Sequence, residues 1–374
     1  LINLYAALRS DPATPQDVAR RFGLNKNLTW KVSRILREDD PVAAIQHLPG
    51  PGGVDILLET FRKHGAPERA VQDVRDAVQA FNATVERHAD GREDLDLILD
   101  SMGLADPERQ LESSRELAFR GNSGLWGVQA RARVTLGVVV PDQDPGRVRT
   151  ALVGGFVGLR RLRRNVRWPL FRFVSFAGDS EGTPTLHPPV SPRVMTEFCS
   201  EGMPELERET QGGFTELWLP QGPVGRRGAF DLFLERGDVG AARYRTAADQ
   251  YGEFSSSVSL PTATLIFDVL VHESLVTTMP TARVYARPTG GLDDPSQRRE
   301  EHLLPIRPRV TELAGIPPAV ATPLAPRYAE LVEGVQARMG ASPREMRGYR
   351  LLLEHPPMGA TATLRWPLPE APGG

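Results

Sequence analysis

Two residue types are scarce in this chain of 374 residues. Cys199 is its only cysteine, which excludes an internal disulfide and a zinc site built on cysteines. Lys26, Lys31 and Lys63 are its only lysines. Because a Walker-type phosphate loop needs Gly-Lys followed by Ser or Thr, no such loop can occur after Lys63. We therefore expect neither a metal ion nor a cofactor.

Long apolar runs are missing as well. No stretch approaches the ~20 consecutive apolar residues that cross a bilayer, and none has the pattern of a signal peptide. Hydrophobic residues make up 40% of the chain and charged residues 25%, which are ordinary values for a globular protein. Together with the single cysteine, these features favour a cytoplasmic protein with no membrane partner.

The most informative stretch runs from Thr14 to Arg37. Thr14 suits a helix N-cap, and Pro15 suits the first helical position, where its missing N–H costs nothing. Gly23 tolerates the left-handed conformation that ends many helices, and Asn25 suits the N-cap of a second helix. The stretch therefore predicts two short helices joined by a glycine turn.

The second of these helices has two different faces. Its predicted buried stripe consists of apolar residues at helical spacing: Leu28, Val32 and Ile35 or Leu36. Its opposite face is polar and cationic and carries Lys26, Asn27, Trp30, Lys31, Ser33, Arg34 and Arg37. Residues 1–37 contain seven basic and two acidic side chains, although the whole chain has a net charge of −2. Positive charge is thus concentrated on this stretch.

The same stretch resembles the helix-turn-helix of bacterial transcriptional regulators. Ala19 matches the small residue that lets the two helices approach closely, and Gly23 matches the turn glycine. Leu24 matches the buried residue after the turn, and Val18 and Val32 match inward-facing positions. The resemblance covers this stretch only.

The pattern departs from that family at Thr29. The family has an apolar residue there, whereas this chain places the apolar Leu28 one position earlier. The departure predicts that the second helix is rotated or begins one residue out of step.

The resemblance implies that the second helix binds double-stranded DNA. The residues expected to face DNA are Asn25, Lys26, Asn27, Trp30, Lys31, Ser33, Arg34 and Arg37. Lysine, asparagine and arginine read base edges or hold phosphates, and Trp30 can pack on a sugar or a thymine methyl group. Asn25 and the helix N-terminus can bind a phosphate. A protein-interaction module built from the same two helices is the alternative.

A homodimer is also expected, because such domains use two copies to bind two half-sites about one DNA turn apart. A long helix is predicted from Pro67 to His88, and its apolar residues form a short heptad seam: Val71, Val74, Val78, Phe81 and Val85. This seam is compatible with dimer contact and equally with packing inside one domain.

The hydrophobic period changes near Gly121. The other predicted helices before it span residues 2–8, 41–48, 54–64, 94–102 and 108–119. From Val128 to Val140 apolar and polar residues alternate, which predicts a half-buried strand. Further strands are predicted at 150–159, 170–176, 214–219, 229–234, 263–271, 282–286 and 360–366, with one late helix at 327–339. The proline-rich run at 305–326 is expected to wrap around its domain.

We therefore predict a multidomain α + β protein, with an all-α N-terminal half and a β-rich C-terminal half built as a sheet or sandwich. Its expected parts are a helix-turn-helix domain over residues 1–48, a helical linker or dimerisation region over 49–120, and a sensor or assembly domain over 121–374.

Catalytic patterns in the second half are weak. Residues 178–182 match the G-x-S-x-G elbow of hydrolases, but a proline-containing stretch follows where the elbow needs a helix, so a surface turn is predicted. Asp268 and His272 share one face of a predicted strand, yet no further histidine nearby has the spacing of a metal ligand. The glycines at 154–158 lack the spacing of a dinucleotide loop.

The densest basic cluster of the chain forms a secondary basic patch: Arg160, Arg161, Arg163, Arg164 and Arg167. One interpretation is that it holds the DNA backbone or an acidic partner. The other is a solvated strand end whose cations pair with the acids of the same chain.

The leading hypothesis is a cytoplasmic DNA-binding transcriptional regulator that acts as a homodimer. Its β-rich domain would sense a small-molecule effector or mediate oligomerisation. One alternative is an enzyme with a C-terminal active site that the helical half regulates, although the sequence shows no clustered set of His, Asp, Glu and Ser. The other alternative is a structural or assembly protein.

Overall fold

The structure is a computed structural model, and it describes every residue except 40, 46, 102–106, 175, 179–183, 187–191, 212–213, 247–249, 276–277, 287–299 and 372–374. The chain forms two compact units, Leu1–Leu111 and Glu112–Gly374. Both helices and strands are present, so the predicted mixed α + β class is confirmed.

Helices precede the first strand of the chain. They are α1 (Ile2–Ala7), α2 (Pro15–Phe22), α3 (Lys26–Arg37), α4 (Pro41–Ile45), α5 (Pro51–Lys63), α6 (Glu68–His88), α7 (Arg92–Ser101) and α8 (Pro107–Trp126). The last of them, α8, crosses the boundary between the two units.

One apolar core joins the helices of the first unit. Helices α1, α2, α3, α5 and α6 contribute to it through buried residues such as Leu4, Phe22, Val32, Phe61 and Val71. The rings of Phe22 and Phe61 lie 5.1 Å apart between centroids, tilted by 60°. Because short helices are marginal alone, this shared burial is what stabilises α2 and α3.

The extent of this core differs from the predicted domain boundary. The sequence places a boundary after residue 48, but α5 and α6 lie beyond that point and pack into the same core as α2 and α3. The first unit continues to Leu111. The chain thus has two compact units where three parts are predicted.

The second unit contains the strands. They are β1 (Val128–Pro141), β2 (Arg147–Arg161), β3 (Trp168–Val174), β4 (Phe176–Gly178), β5 (Pro184–Leu186), β6 (Arg193–Val194), β7 (Glu207–Gln211), β8 (Phe214–Leu219), β9 (Phe230–Ala242), β10 (Tyr251–Ser257), β11 (Thr262–His272), β12 (Thr281–Ala286), β13 (Val310–Glu312), β14 (Met346–Glu354) and β15 (Ala360–Pro367). Helix α9 (Tyr328–Arg338) lies between β13 and β14, so helices and strands interleave in this unit.

Within the described residues, the main sheet has seven strands in the order β13-β14-β11-β1-β2-β9-β6. Strands β1 and β11 are parallel at its centre, and the other neighbours are antiparallel. Smaller sheets have the orders β10-β15-β12, β3-β8-β7 and β4-β5. The predicted sheet-rich character of this unit thus takes the form of one large mixed sheet with smaller sheets around it.

Strand β1 is buried on both of its faces from Ala132 to Val140, whereas Arg131 is exposed. Val134, Leu136 and Val138 pack in one core with Tyr328 and Val335 of α9. On the opposite face, Thr135 and Gly137 contact the sheet β10-β15-β12, and Arg133 lies against the rings of Phe156 and Phe171. The sequence predicts a half-buried strand, and that prediction is wrong from Ala132 onward because neighbouring strands also cover Arg133 and Thr135 on the polar face.

Two contacts show how that second sheet sits on β1. The hydroxyls of Thr135 and Ser256 lie 2.6 Å apart, and both residues are buried. The ring of Phe254 occupies the space beside Gly137, where an added Cβ would lie 2.5 Å from a ring carbon. Glycine at this position therefore lets an aromatic ring of the second sheet approach the strand backbone.

The sequence misses strand β14, which pairs with β11 along the length of both strands. Its Arg350 explains the omission, because a charged residue interrupts the apolar pattern. The Arg350 guanidinium donates to both carboxylate oxygens of Asp268 on β11, at 2.8 and 2.7 Å. It also donates to the carbonyl oxygen of Val320 at 2.6 Å. Asp268 is completely buried, and this burial raises its pKa against the opposing effect of Arg350.

The substitution Arg350→Met tests this buried pair. We expect it to lower the free energy of unfolding by about 3–5 kcal/mol, because the Asp268 carboxylate stays buried without its partner. The double substitution Asp268→Leu with Arg350→Met should recover much of that loss, since no uncompensated charge remains. Urea unfolding followed by tryptophan fluorescence measures the effect.

A matched control is Arg245→Met. Arg245 forms an exposed ion pair with Glu370 at 3.1 Å in the same unit. Its loss should change the free energy of unfolding by no more than about 1 kcal/mol. Equal losses for Arg245→Met and Arg350→Met would contradict the structural role of the buried pair.

Candidate nucleic-acid interface

The turn between α2 and α3 has the glycine geometry that its sequence predicts. Gly23 has a φ of 67°, in the left-handed region. The N–H of Leu24 donates to the carbonyl oxygen of Ala19 at 3.0 Å. Thr14 stands at the N-cap position of α2, but its hydroxyl donates back to the carbonyl of Asp11 and does not cap the helix. The turn itself therefore fixes how α3 follows α2.

Asn25 caps α3 through its side chain. Its side-chain oxygen accepts a hydrogen bond from the backbone N–H of Asn27 at 2.8 Å. That oxygen is consequently used inside the chain, and the side-chain amide NH2 is the group that remains to face a ligand.

Thr29 accounts for the departure from the helix-turn-helix pattern. Its side chain is 1% exposed, and its hydroxyl donates to the carbonyl oxygen of Lys26 at 3.1 Å. Threonine thus occupies a buried position with its polar atom satisfied inside the helix. Leu28 is only half-buried. The buried stripe therefore includes Thr29 and Val32, with Thr29 in place of the predicted Leu28.

The residues predicted to face DNA are exposed, apart from Ser33. The exposed ones are Asn25, Lys26, Asn27, Trp30, Lys31, Arg34 and Arg37. Ser33 is 5% exposed and lies on the inner side, since it follows the buried Thr29 by four residues and so shares its face. The prediction for Ser33 is wrong because the buried stripe is shifted from the one expected.

Trp30 is held in place by its neighbours. The guanidinium carbon of Arg34 lies 4.9 Å from the centroid of the Trp30 ring, a cation–π contact across one helical turn. The ring of His47 meets it edge-on at 5.9 Å between centroids. Trp30 nevertheless stays 47% exposed. An indole that is oriented in this way offers a flat surface beside the cationic side chain of Arg34.

The charge of α3 is one-sided. The helix carries Lys26, Lys31, Arg34 and Arg37 and no acidic residue. Within the described part of the chain, no carboxylate forms an ion pair with any of these four side chains. Some exposed cations elsewhere in the first unit are neutralised locally; Arg20, for example, pairs with Asp17 at 3.4 Å. The α3 surface is thus a patch of uncompensated positive charge that suits a polyanion.

The heptad seam of α6 is used mainly inside the first unit. Val71 and Val74 are buried in its core, and Val78 packs against that core. Phe81 lies beneath the Arg92 guanidinium, 5.8 Å from the ring centroid. Of the two interpretations of the seam, packing inside one domain is the one that these contacts support.

The secondary basic patch does not form one cationic surface. Arg161 is 1% exposed and donates to the carbonyl oxygen of Pro220 at 2.8 Å, so its guanidinium is bonded inside the protein. Arg167 donates to Glu207 and Glu209, each at 2.6 Å, and covers the ring of Trp218. These two guanidinium groups are therefore already occupied by partners of the same chain.

The other members of that patch are dispersed. Arg163 is exposed and donates to the carbonyl oxygen of Leu125 at 2.5 Å. Arg164 is exposed, and Arg160 is half-buried. The structure thus favours the second interpretation, in which the cluster is a strand end with local partners.

Asp268 and His272 do not form a site. Asp268 is buried against Arg350, whereas His272 lies at the strand end with its Nδ1 2.9 Å from the Ser274 hydroxyl. The serine of the G-x-S-x-G match lies outside the described residues. No group of three or more His, Cys, Asp or Glu could hold a metal ion among the residues that the structure describes. Likewise, no described helix combines the length and the apolar character needed to traverse a bilayer.

Comparisons with known proteins do not identify a family for this chain. No family model matches the sequence, and no curated protein matches it either. A solved structure of a candidate protease from Parabacteroides distasonis ATCC 8503 is similar at 7% identity, with a TM-score of 0.27. The match covers 64% of this chain and 40% of that protein, so the chain spans less than half of that protein's length. So low a TM-score carries no argument about fold or function.

The cap of α3 can be tested with two asparagine variants. We expect Asn25→Ala to lower the local stability of α3 by about 1 kcal/mol, because the N–H of Asn27 loses its acceptor. Asn27→Ala is the matched control, and it should leave that stability unchanged or slightly raised, since alanine favours a helix interior. Amide hydrogen exchange of peptides from α3, measured by mass spectrometry, reports the opening free energy. Equal exchange in both variants would contradict the capping role.

Proposed function

We propose that this protein binds double-stranded DNA through α3 and acts as a transcriptional regulator. The observation that carries the proposal is the one-sided helix: four cations on its exposed face, with no ion-pair partner among the described carboxylates. The helix-turn-helix resemblance of residues 14–37 supports the same function.

The dimensions of α3 suit the major groove. A helix of 12 residues is ~18 Å long, and the groove admits one α-helix. Lys26, Trp30 and Arg34 follow one another at intervals of four residues and so form one stripe along the helix. We propose that this stripe enters the groove. Lys31 and Arg37 lie beside it, where they can hold the phosphates of the flanking backbone.

Two copies of the chain are part of the proposal, because paired half-sites multiply the affinity of a single small helix. The second unit would sense a small molecule or mediate oligomerisation, and the location would be the cytoplasm. An enzyme or an assembly protein remains the alternative from another class, and no observation on the described residues favours either.

The salt dependence of DNA binding tests the proposal. The wild-type protein should bind a random-sequence duplex pool, with an affinity that falls steeply from about 50 to about 200 mM salt. The double variant Lys26→Gln with Lys31→Gln should bind more weakly and lower the slope of log K against log salt by about 2, because two phosphate contacts are lost. Fluorescence polarisation measures both quantities.

Lys63, the third lysine of the chain, provides a control for the salt-dependence measurement. Lys63 is exposed on α5, outside α3, and pairs with Glu59 at 3.7 Å. Lys63→Gln should leave the salt slope within about 0.3 of the wild-type value, since this lysine contacts no phosphate in the proposed complex. Absence of DNA binding by the wild-type protein at low salt, or equal slopes in all variants, would overturn the proposal.

A further inference from the structure

The second unit contains a cavity of about 590 Å³. It lies between the main sheet and the sheet β10-β15-β12, near the end of β1. Leu152 on β2 lines it from the main sheet, and Phe254 and Trp366 line it from the smaller sheet. Its volume falls within the range of ~300–1,000 Å³ that is typical of small-molecule sites. No motif in the sequence predicts it.

The walls combine apolar and aromatic surfaces with a few polar groups. Thr150, Ser255 and Tyr244 contribute hydroxyl-bearing side chains to the lining. Charged groups of the lining are Arg236, Arg243 and Glu253. Cavities that bind small molecules have this composition, in which apolar walls supply affinity and a few polar groups fix orientation.

Arg236 is the unusual member of this lining. It stands opposite Leu152 in the register of β2 and β9 and is half-buried, and its side chain makes no hydrogen bond or ion pair with a described residue. Its neighbour Glu235 lies on the other face of the sheet and pairs with Arg193 and Arg338, at 3.0 and 2.9 Å. The structure thus neutralises the charge next to Arg236 but leaves Arg236 itself facing the cavity.

A half-buried guanidinium without a partner among the described residues is costly in free energy. Burial lowers the pKa of Arg236, because its charged form loses hydration and no described carboxylate pairs with it. A carboxylate that entered the cavity would supply that counter-charge through two parallel hydrogen bonds. Arg243, which lies 5.4 Å from the Tyr244 ring centroid, adds a second cation to the same lining.

We propose that this cavity binds a small organic anion whose carboxylate pairs with Arg236 and whose apolar body packs on Phe254 and Trp366. Its use as an effector site of a regulator rests on the proposed DNA binding. The binding site itself does not, so it can be tested with no DNA present.

A matched pair of fluorescent probes separates charge from apolar packing. The anion 1-anilinonaphthalene-8-sulfonate and the neutral N-phenyl-1-naphthylamine share their ring systems and differ in the sulfonate. Both should bind the full-length protein. Arg236→Gln should weaken the anionic probe about tenfold or more, since a charge-assisted hydrogen bond is lost, and change the neutral probe less than about twofold. If the site prefers a carboxylate, 2-naphthoate should displace the anionic probe and 2-naphthamide should not.

Two further variants keep the test specific to the cavity. Leu152→Trp fills the space and should abolish the binding of both probes, while circular dichroism reports that the fold is retained. Arg344→Gln removes an exposed arginine that is not part of the lining, and it should leave both affinities unchanged. Failure of the wild-type protein to bind either probe would overturn the proposal. So would an unchanged anion affinity in Arg236→Gln, or full binding in a folded Leu152→Trp variant. DNA binding is measured separately, so either proposal can fail alone.

Discussion

A buried ion pair between Asp268 and Arg350 joins four parts of the second unit. Asp268 belongs to the central strand β11 and Arg350 to β14 beside it. The same guanidinium binds the carbonyl of Val320 in the proline-rich segment and lies 5.9 Å from the ring centroid of Tyr328 at the start of α9. Because an isolated charge is so costly in an apolar interior, separating β11 from β14 would leave Asp268 buried without its partner. The expected wrap of the proline-rich run follows from this pair and from the burial of Val320 and Ala325 in the main core.

In the first unit, burial constrains the orientation of helix α3. Its inner face must bury Thr29, Val32 and Ser33 against the other helices, which turns Lys26 and Arg34 outward. The glycine turn and the Asn25 cap fix where the helix begins, and the shared core fixes its rotation. The cationic face is therefore a consequence of how the interior packs, and the proposed DNA contacts depend on that packing.

The sequence predicts local elements well where the signal is local. The glycine turn at Gly23, the cap at Asn25 and the long alternating strand from Val128 are all formed. Predictions fail where a distant partner decides. Strand β14 is missed because Arg350 breaks its apolar pattern, and only Asp268, far away in the chain, makes that arginine compatible with burial. Ser33 is misassigned because short polar side chains fit either face of a helix.

Amino-acid order alone thus determined the mixed helical and sheet composition, the turn between α2 and α3 and the clustering of positive charge near the N-terminus. These features depend on backbone preferences, caps and periodicity, which act over a few residues. Tertiary structure alone decided which cationic side chains have a neutralising partner among the described residues. It buried Arg161, paired Arg167 and left Arg236 facing a cavity, although all three look alike in the sequence. Whether a guanidinium is neutralised depends on the groups that the fold brings within a few ångströms, and sequence neighbours do not reveal them.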